Sequence, residues 1–202
     1  MKNNYTEVQS KIAKTARELF VKKGFKATTV RDIATESGVN VAMVNYYFNS
    51  KSELFDSIFE EAFNMMSEKI FYLMDSELPF FELIRQWIYS YYDMLMEYPD
   101  LPLFVMNELS TNPNTLDKCF HSNPYLLYLK ISKRIKKEVT RGTIRPVNVP
   151  DLLLNIISLS IFPFAARPMA GKLLNLSDEQ YMEMIDHHRE YVVNFVIKAI
   201  KA

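Results

Sequence analysis

Two stretches near the start of this chain are patterned as helices yet too short to stand alone, and a glycine joins them. The first runs from Thr29 to Glu36 with Ile33 and Ala34 on its inner face. Ser37-Gly38-Val39 breaks it, and Asn40 caps a second stretch reaching Tyr47. Helices of two turns do not persist in water unless they are packed, so a longer neighbour is required. The preceding segment supplies one: Val8, Ile12, Ala16, Leu19 and Phe20 recur at helical spacing between Glu7 and Lys23, and Gly24 follows as a stop. Thr29-Val30-Arg31-Asp32 reads as a capping-box start. A brace, a short helix, a tight glycine turn and a second short helix make a helix-turn-helix.

The rest of the chain continues as helices. With 49% hydrophobic and 24% charged residues but only 4 glycines in 202, composition favours helices over turn-rich sheets. Ser50-Lys51-Ser52-Glu53 is another capping box and opens a long helix to about residue 74; segments follow at about 80–98, 101–109, 124–141 and 149–170, and at 178–201 behind the capping box Ser177-Asp178-Glu179-Gln180. Residues 110–124, rich in Ser, Thr, Asn and Pro, read as a loop. Pro163 and Pro168 are expected to kink or end the helix that contains them. The fold class is therefore all-α, with a helix-turn-helix domain over residues 1–52 and a larger helical domain over 53–202.

Function begins with the second short helix. Val39, Val44 and Phe48 form its inner side, which leaves Asn40, Val41, Met43, Asn45, Tyr46 and Tyr47 outside. Val, Met and two tyrosines suit a solvated surface poorly. They suit a major groove, where apolar atoms meet thymine methyls and Asn pairs with adenine edges; alternatively the tyrosines pack on neighbouring helices. Net charge is zero overall, but residues 1–51 carry nine Lys and Arg against four Asp and Glu, or +5, leaving −5 on the remainder. A basic first quarter fits nucleic acid, although solvated helix faces are often Lys-rich too.

Gly24-Phe25, Thr28-Thr29-Val30-Arg31-Asp32-Ile33-Ala34, Ser37-Gly38-Val39, Tyr46-Tyr47-Phe48, Lys51 and Leu54 together resemble the N-terminal signature of the TetR family of transcription regulators. The resemblance covers about the first 60 residues. It implies phosphate contacts by Thr28, Thr29 and Arg31, by Tyr46 or Tyr47, and by Lys51, whose charge would join the helix-terminal N–H groups that attract anions. Base readout falls to Asn40, Val41, Ala42, Met43 and Asn45. The chain departs from the family's habit at Ala42-Met43, where a small residue then Thr or Ser is common, and at Asn45, where an aromatic is. Shape and methyl contacts would then carry more of the specificity than hydrogen bonds.

The resemblance further implies that the remaining helices build a homodimer interface and a ligand pocket. The last helix is apolar around much of its circumference, as is the one at 149–170, so both need burial on two sides. Leu153, Ile156, Ile157, Ser160, Met184, His188, Tyr191 and Phe195 are the interface candidates. The middle helices are crowded with Met and aromatic residues, and Phe63, Met66, Trp87, Tyr91, Met94, Phe104 and Asn107 are the candidates for lining a pocket that takes a small hydrophobic or aromatic effector. Most such residues are ordinary core in proteins of this composition.

Catalytic and metal-binding constellations are absent from the sequence. His121, His187 and His188 give no metal spacing, Cys119 is the single cysteine, and no glycine loop cradles a phosphate. No enzyme activity, metal or cofactor is expected. Neither a secretory signal nor a membrane span is visible, which with one cysteine suits a reducing cytoplasm. The expectation is a regulator, by family habit a repressor, that binds a pseudo-palindromic operator in double-stranded DNA as a homodimer and is released by its effector. The alternative is an architectural or activating DNA-binding protein with no effector.

Overall fold

The structure, a computed structural model, describes residues 5–111 and 124–202, apart from the side chains of residues 62, 63, 65–67, 108, 111 and 124. Among the described residues it forms ten helices: α1 (Glu7–Lys23), α2 (Val30–Ser37), α3 (Val41–Phe48), α4 (Lys51–Asp75), α5 (Phe80–Glu97), α6 (Leu101–Thr111), α7 (Pro124–Thr140), α8 (Val149–Ala165), α9 (Arg167–Leu174) and α10 (Asp178–Ile200). No strand occurs among them, only an isolated bridge between Ile144 and Lys201. The all-α class and the helix-turn-helix are as the sequence implies. Two compact units result, Met1–Met65 with Leu103–His121, and Met66–Pro102 with Ser122–Ala202. The expected boundary at residue 52 falls in the first turn of α4.

Helix ends follow local chemistry. Thr29 closes a complete capping box with Asp32, and Ser177 closes another with Gln180. Each hydroxyl accepts an N–H that the helix leaves unpaired, and the return bond satisfies the cap's own N–H. The box expected at Ser50 is half made. Ser50 accepts from the Glu53 N–H at 3.1 Å, but the Glu53 carboxylate takes the Asn49 amide at 2.8 Å instead of reaching back. The segment expected as one helix over 149–170 is two helices meeting at 71°. Pro163 is tolerated inside α8, whereas Pro168 sits in the first turn of α9, where a missing N–H costs nothing.

In the first unit, Ile12, Ala16, Ile33, Val44 and Leu54 are buried and hold α1 to α4 together. Four phenylalanines extend this core. Phe20, Phe55, Phe59 and Phe104 have ring centroids 5.0 to 6.4 Å apart, within the range where aromatic pairs add to burial.

In the second unit, α5 packs on α8 and α10, burying Leu83, Ile84, Trp87, Ile88, Tyr91, Tyr92 and Leu95. Polar bonds fix the register of these helices. Glu190 accepts from Arg85 at 2.5 Å and from Tyr89 at 2.7 Å, and the Tyr181 hydroxyl donates to the Pro163 carbonyl at 2.9 Å. Arg134 on α7 donates to the carbonyls of Ser76 and Leu78, satisfying backbone just beyond α4. Among the described residues no single helix is long and apolar enough to cross a membrane.

Candidate nucleic-acid interface

The turn between α2 and α3 depends on Gly38. Its φ of +66° is left-handed, and its N–H closes α2 on the carbonyls of Ala34 and Thr35. Asn40 then restarts the chain as a cap, its side-chain oxygen accepting the Met43 N–H at 2.8 Å. That bond uses the carbonyl end of the side chain and leaves the amide end outward. Val44 and Phe48 turn into the core, with Phe48 edge-on to Tyr5 at 5.9 Å.

The opposite side of α3 faces solvent. Tyr46 is 80% exposed and Val41 37%. Asn40, Ala42 and Asn45 are exposed beside them, while Met43 and Tyr47 are half-buried. Tyr47 supports Tyr46 edge-on, their rings 5.1 Å apart. Packing of the tyrosines on neighbouring helices thus accounts for half of Tyr47 and for little of Tyr46. Arg31, in the first turn of α2, is exposed.

The remaining candidates for phosphate contact are placed differently from the sequence expectation. Thr28 is fully buried, and its hydroxyl donates to the carbonyls of Gly24 at 2.9 Å and Leu19 at 3.2 Å. Residue type alone suggests an outward threonine, but the stop at Gly24 strands carbonyls that this hydroxyl satisfies. Thr29 is exposed, with its hydroxyl engaged by Asp32 in the capping box. Those bonds, first the backbone N–H of Thr29, hold the Asp32 carboxyl below its usual pKa. Lys51 is half-buried, and its ammonium donates to the carbonyls of Phe25 and Thr28 at 2.8 Å each. The same ammonium lies 4.3 Å from the centre of the Phe25 ring. The side chains that point outward are therefore Arg31, Asn40, Val41, Ala42, Asn45 and Tyr46.

Of the interface candidates, Met184, Tyr191 and Phe195 are exposed at 36, 65 and 53%. With half-buried His188 they form one stripe along α10, and stacked rings link His188 to Tyr191 at 5.7 Å and Tyr191 to Phe195 at 6.4 Å. On α8, Ile157 is exposed and Leu153 half-buried, but Ile156 and Ser160 are wholly enclosed in their own unit. Leu154, which the sequence reading passed over, is 64% exposed on that helix. An apolar stripe with a 3.6 period does not reveal which edge faces α5, so these neighbours could not be told apart.

The pocket candidates do not form one set. Trp87 and Tyr91 lie one turn apart on the buried side of α5, and Met94 is half-buried. Burial pushes the Tyr91 hydroxyl up to about 12. Among the described residues the Trp87 indole N–H meets no acceptor of good geometry, although Tyr91 is near enough to feel it. Phe104 belongs to the phenylalanine core of the first unit, and Asn107 is exposed. Phe63 and Met66 lie outside the described side chains, as do Cys119 and His121. No group of His, Cys, Asp and Glu able to hold a metal occurs among the described residues.

Residues 12–58 match the family model described as bacterial regulatory proteins, tetR family. The probable transcriptional regulator YttP of Bacillus subtilis is 39% identical over 62 residues, which are 31% of this chain and 30% of that protein. The transcriptional repressor NicS of Pseudomonas putida is 36% identical over 85 residues, 40% of either chain. The chain thus spans well under half the length of the curated relatives it matches.

Solved structures extend the likeness in fold to nearly the whole chain. The ketosteroid transcriptional regulator KstR2 of Mycobacterium tuberculosis has a TM-score of 0.75 at 15% identity, covering 98% of this chain and 97% of the other. The TetR-family regulator PfmR of Thermus thermophilus has a TM-score of 0.68 at 17% identity, covering 91 and 97%. All four are named as transcription regulators or repressors. The helix-turn-helix over residues 12–58 thus carries the signature of the tetR family of bacterial regulatory proteins, and the chain as a whole is similar in fold to solved regulators of that kind.

Proposed function

We propose that this protein is a DNA-binding transcription regulator, acting as a repressor on a pseudo-palindromic operator that it binds as a homodimer. The observation that carries the reading is the outward face of α3. Val41, Ala42, Asn45 and the strongly exposed Tyr46 occupy a helix whose other side is locked into the core. The free amide of Asn40 and the side chain of Asn45 supply base-edge hydrogen bonds; Val41 and Ala42 supply methyl contacts. Tyr46 and Arg31 flank them as phosphate contacts that set the register.

The homodimer reading rests on α8 and α10. Leu154, Ile157, Met184, Tyr191 and Phe195 leave an apolar, ring-rich surface in water, of the kind that marks protein association. A twofold-related copy would cover it with the same residues, making a four-helix bundle. Two recognition helices spaced by about one DNA turn, 34–36 Å, would then read the two half-sites.

The effector reading is supported by Trp87 and Tyr91. A buried indole N–H without a good acceptor beside a buried phenol offers polar anchoring inside apolar walls, which suits a small aromatic or hydrophobic molecule. Binding would release the operator by favouring a conformation that fits it less well. Selecting bound fragments from the source genome, then footprinting them at fixed salt, tests the central claim. A protected pseudo-palindrome is expected. Diffuse binding that disappears with modest salt would refute operator recognition. The effector claim fails separately if hydrophobic and aromatic compounds neither raise the melting temperature nor release the selected fragment.

A further inference from the structure

We propose that Lys51 serves DNA binding as a positioning residue, pinning the turn before α2 through the carbonyls of Phe25 and Thr28 instead of meeting a phosphate itself. The inference rests on the DNA-binding reading above and deepens it. Lys51 is the first residue of α4, and its side chain crosses to a segment 23 to 26 residues earlier. An ammonium has three donors. Two are engaged at 2.8 Å, and the Phe25 ring lies 4.3 Å from the same nitrogen. Swinging out to meet a phosphate would break two charge-assisted bonds and strip the cation from an aromatic face.

The turn it holds has few other supports. After Gly24 closes α1, the chain travels to Thr29 outside any helix. Thr28 secures it from the inside, its N–H and hydroxyl both bonded to the Gly24 carbonyl. Lys51 secures it from the α4 side. Phe25, under the ammonium, is wedged between Phe20 at 5.6 Å and Phe55 at 4.9 Å. The pinned Thr28 carbonyl is one peptide from the cap of α2, so the bond fixes where α2 starts and where Arg31 points.

The test compares Lys51→Met, which keeps the stem without the charge, with Lys51→Arg, which keeps the charge in a planar fork that fits two converging carbonyls poorly. Each full-length variant is measured well below its melting temperature. The probe is a duplex recovered with the wild-type protein from a random-sequence library, titrated across salt concentrations. Amide hydrogen exchange over residues 29–33 is followed in parallel. Lys51→Met should exchange several-fold faster there and bind the duplex several-fold more weakly, with the salt slope unchanged, and Lys51→Arg should not restore affinity.

A slope lowered by about 0.9, with full rescue by arginine and unaltered exchange, would assign Lys51 to a phosphate and overturn the proposal. Wild-type affinity in folded Lys51→Met would also overturn it, because the residue would then matter to stability alone. Should the wild-type protein select no duplex, the operator reading fails, while the exchange measurement still decides whether Lys51 holds the turn.

Discussion

His188 sits where the core of the second unit meets its exposed apolar stripe. Its Nδ1 is 2.8 Å from the Tyr92 hydroxyl, and its other side stacks on Tyr191. Burial holds its pKa below the ordinary 6.5. A depressed histidine pKa means that the unfolded chain binds the proton more readily. The contribution of His188 to stability is thus present above about pH 6.5 and lost as pH falls towards the folded value. The melting-temperature difference between wild type and His188→Gln should therefore shrink on going from neutral pH to mildly acidic pH; a constant difference would show that the imidazole does not titrate with folding. Arg31, exposed at the start of α2, gives the complementary test on DNA. Arg31→Ala should weaken binding several-fold and reduce the salt slope by about 0.9 if one phosphate contact is lost.

At this scale the sequence was legible only in part. Asn45 and Tyr46 were recognisable as outward because the spacing of Val44 and Phe48 fixes the inner face of α3. Thr28 and Lys51 were not, because what turns them inward is backbone oxygen. For Lys51 that oxygen lies more than 20 residues away in the sequence.

Elements were read more fully than side chains, since their ends are set by neighbours in the chain. The stop at Gly24, the caps at Thr29, Asn40 and Ser177, and the left-handed Gly38 all rest on contacts within five residues. The break at Ala166 was less legible. Two prolines five residues apart mark the region, but only the packing of α9 on α8 and α10 decides which one ends the helix. Gly38 allows a direct check. A Cβ there would meet only the Lys11 ammonium, at an ordinary 3.5 Å, so Gly38→Ala should suffer chiefly from the positive φ. The expected loss is about 1 kcal/mol, measured by denaturant melting; a neutral result would mean the turn relaxes to another geometry. Phe104 on α6 is the heavier element-scale test. As a member of the phenylalanine core, Phe104→Ala should cost about 3–5 kcal/mol, a loss that a residue lining an open pocket would not produce.

For the whole molecule, the association reading turns on a surface whose existence the sequence announced and whose membership it blurred. Apolar periodicity required two buried sides for α8 and α10, but the side facing α5 had to be seen before Ile156 and Ser160 could be separated from Leu154 and Ile157. Placing charge on the exposed part, with Tyr191→Glu and Phe195→Glu together, should convert a dimer into folded monomers by sedimentation while leaving the helical signal intact. A double variant that stays dimeric would move the contact elsewhere.

Trp87 has a different use. It is the chain's single tryptophan, buried beside Tyr91 in the interior of the second unit. Every photon of indole emission from this protein therefore comes from that one place. Excited at the red edge of its absorption band, the native chain should glow at short wavelength, and an aromatic guest settling beside the indole should quench it or shift its colour. The molecule thus carries its own optical gauge of occupancy, readable in a cuvette without a label and without DNA.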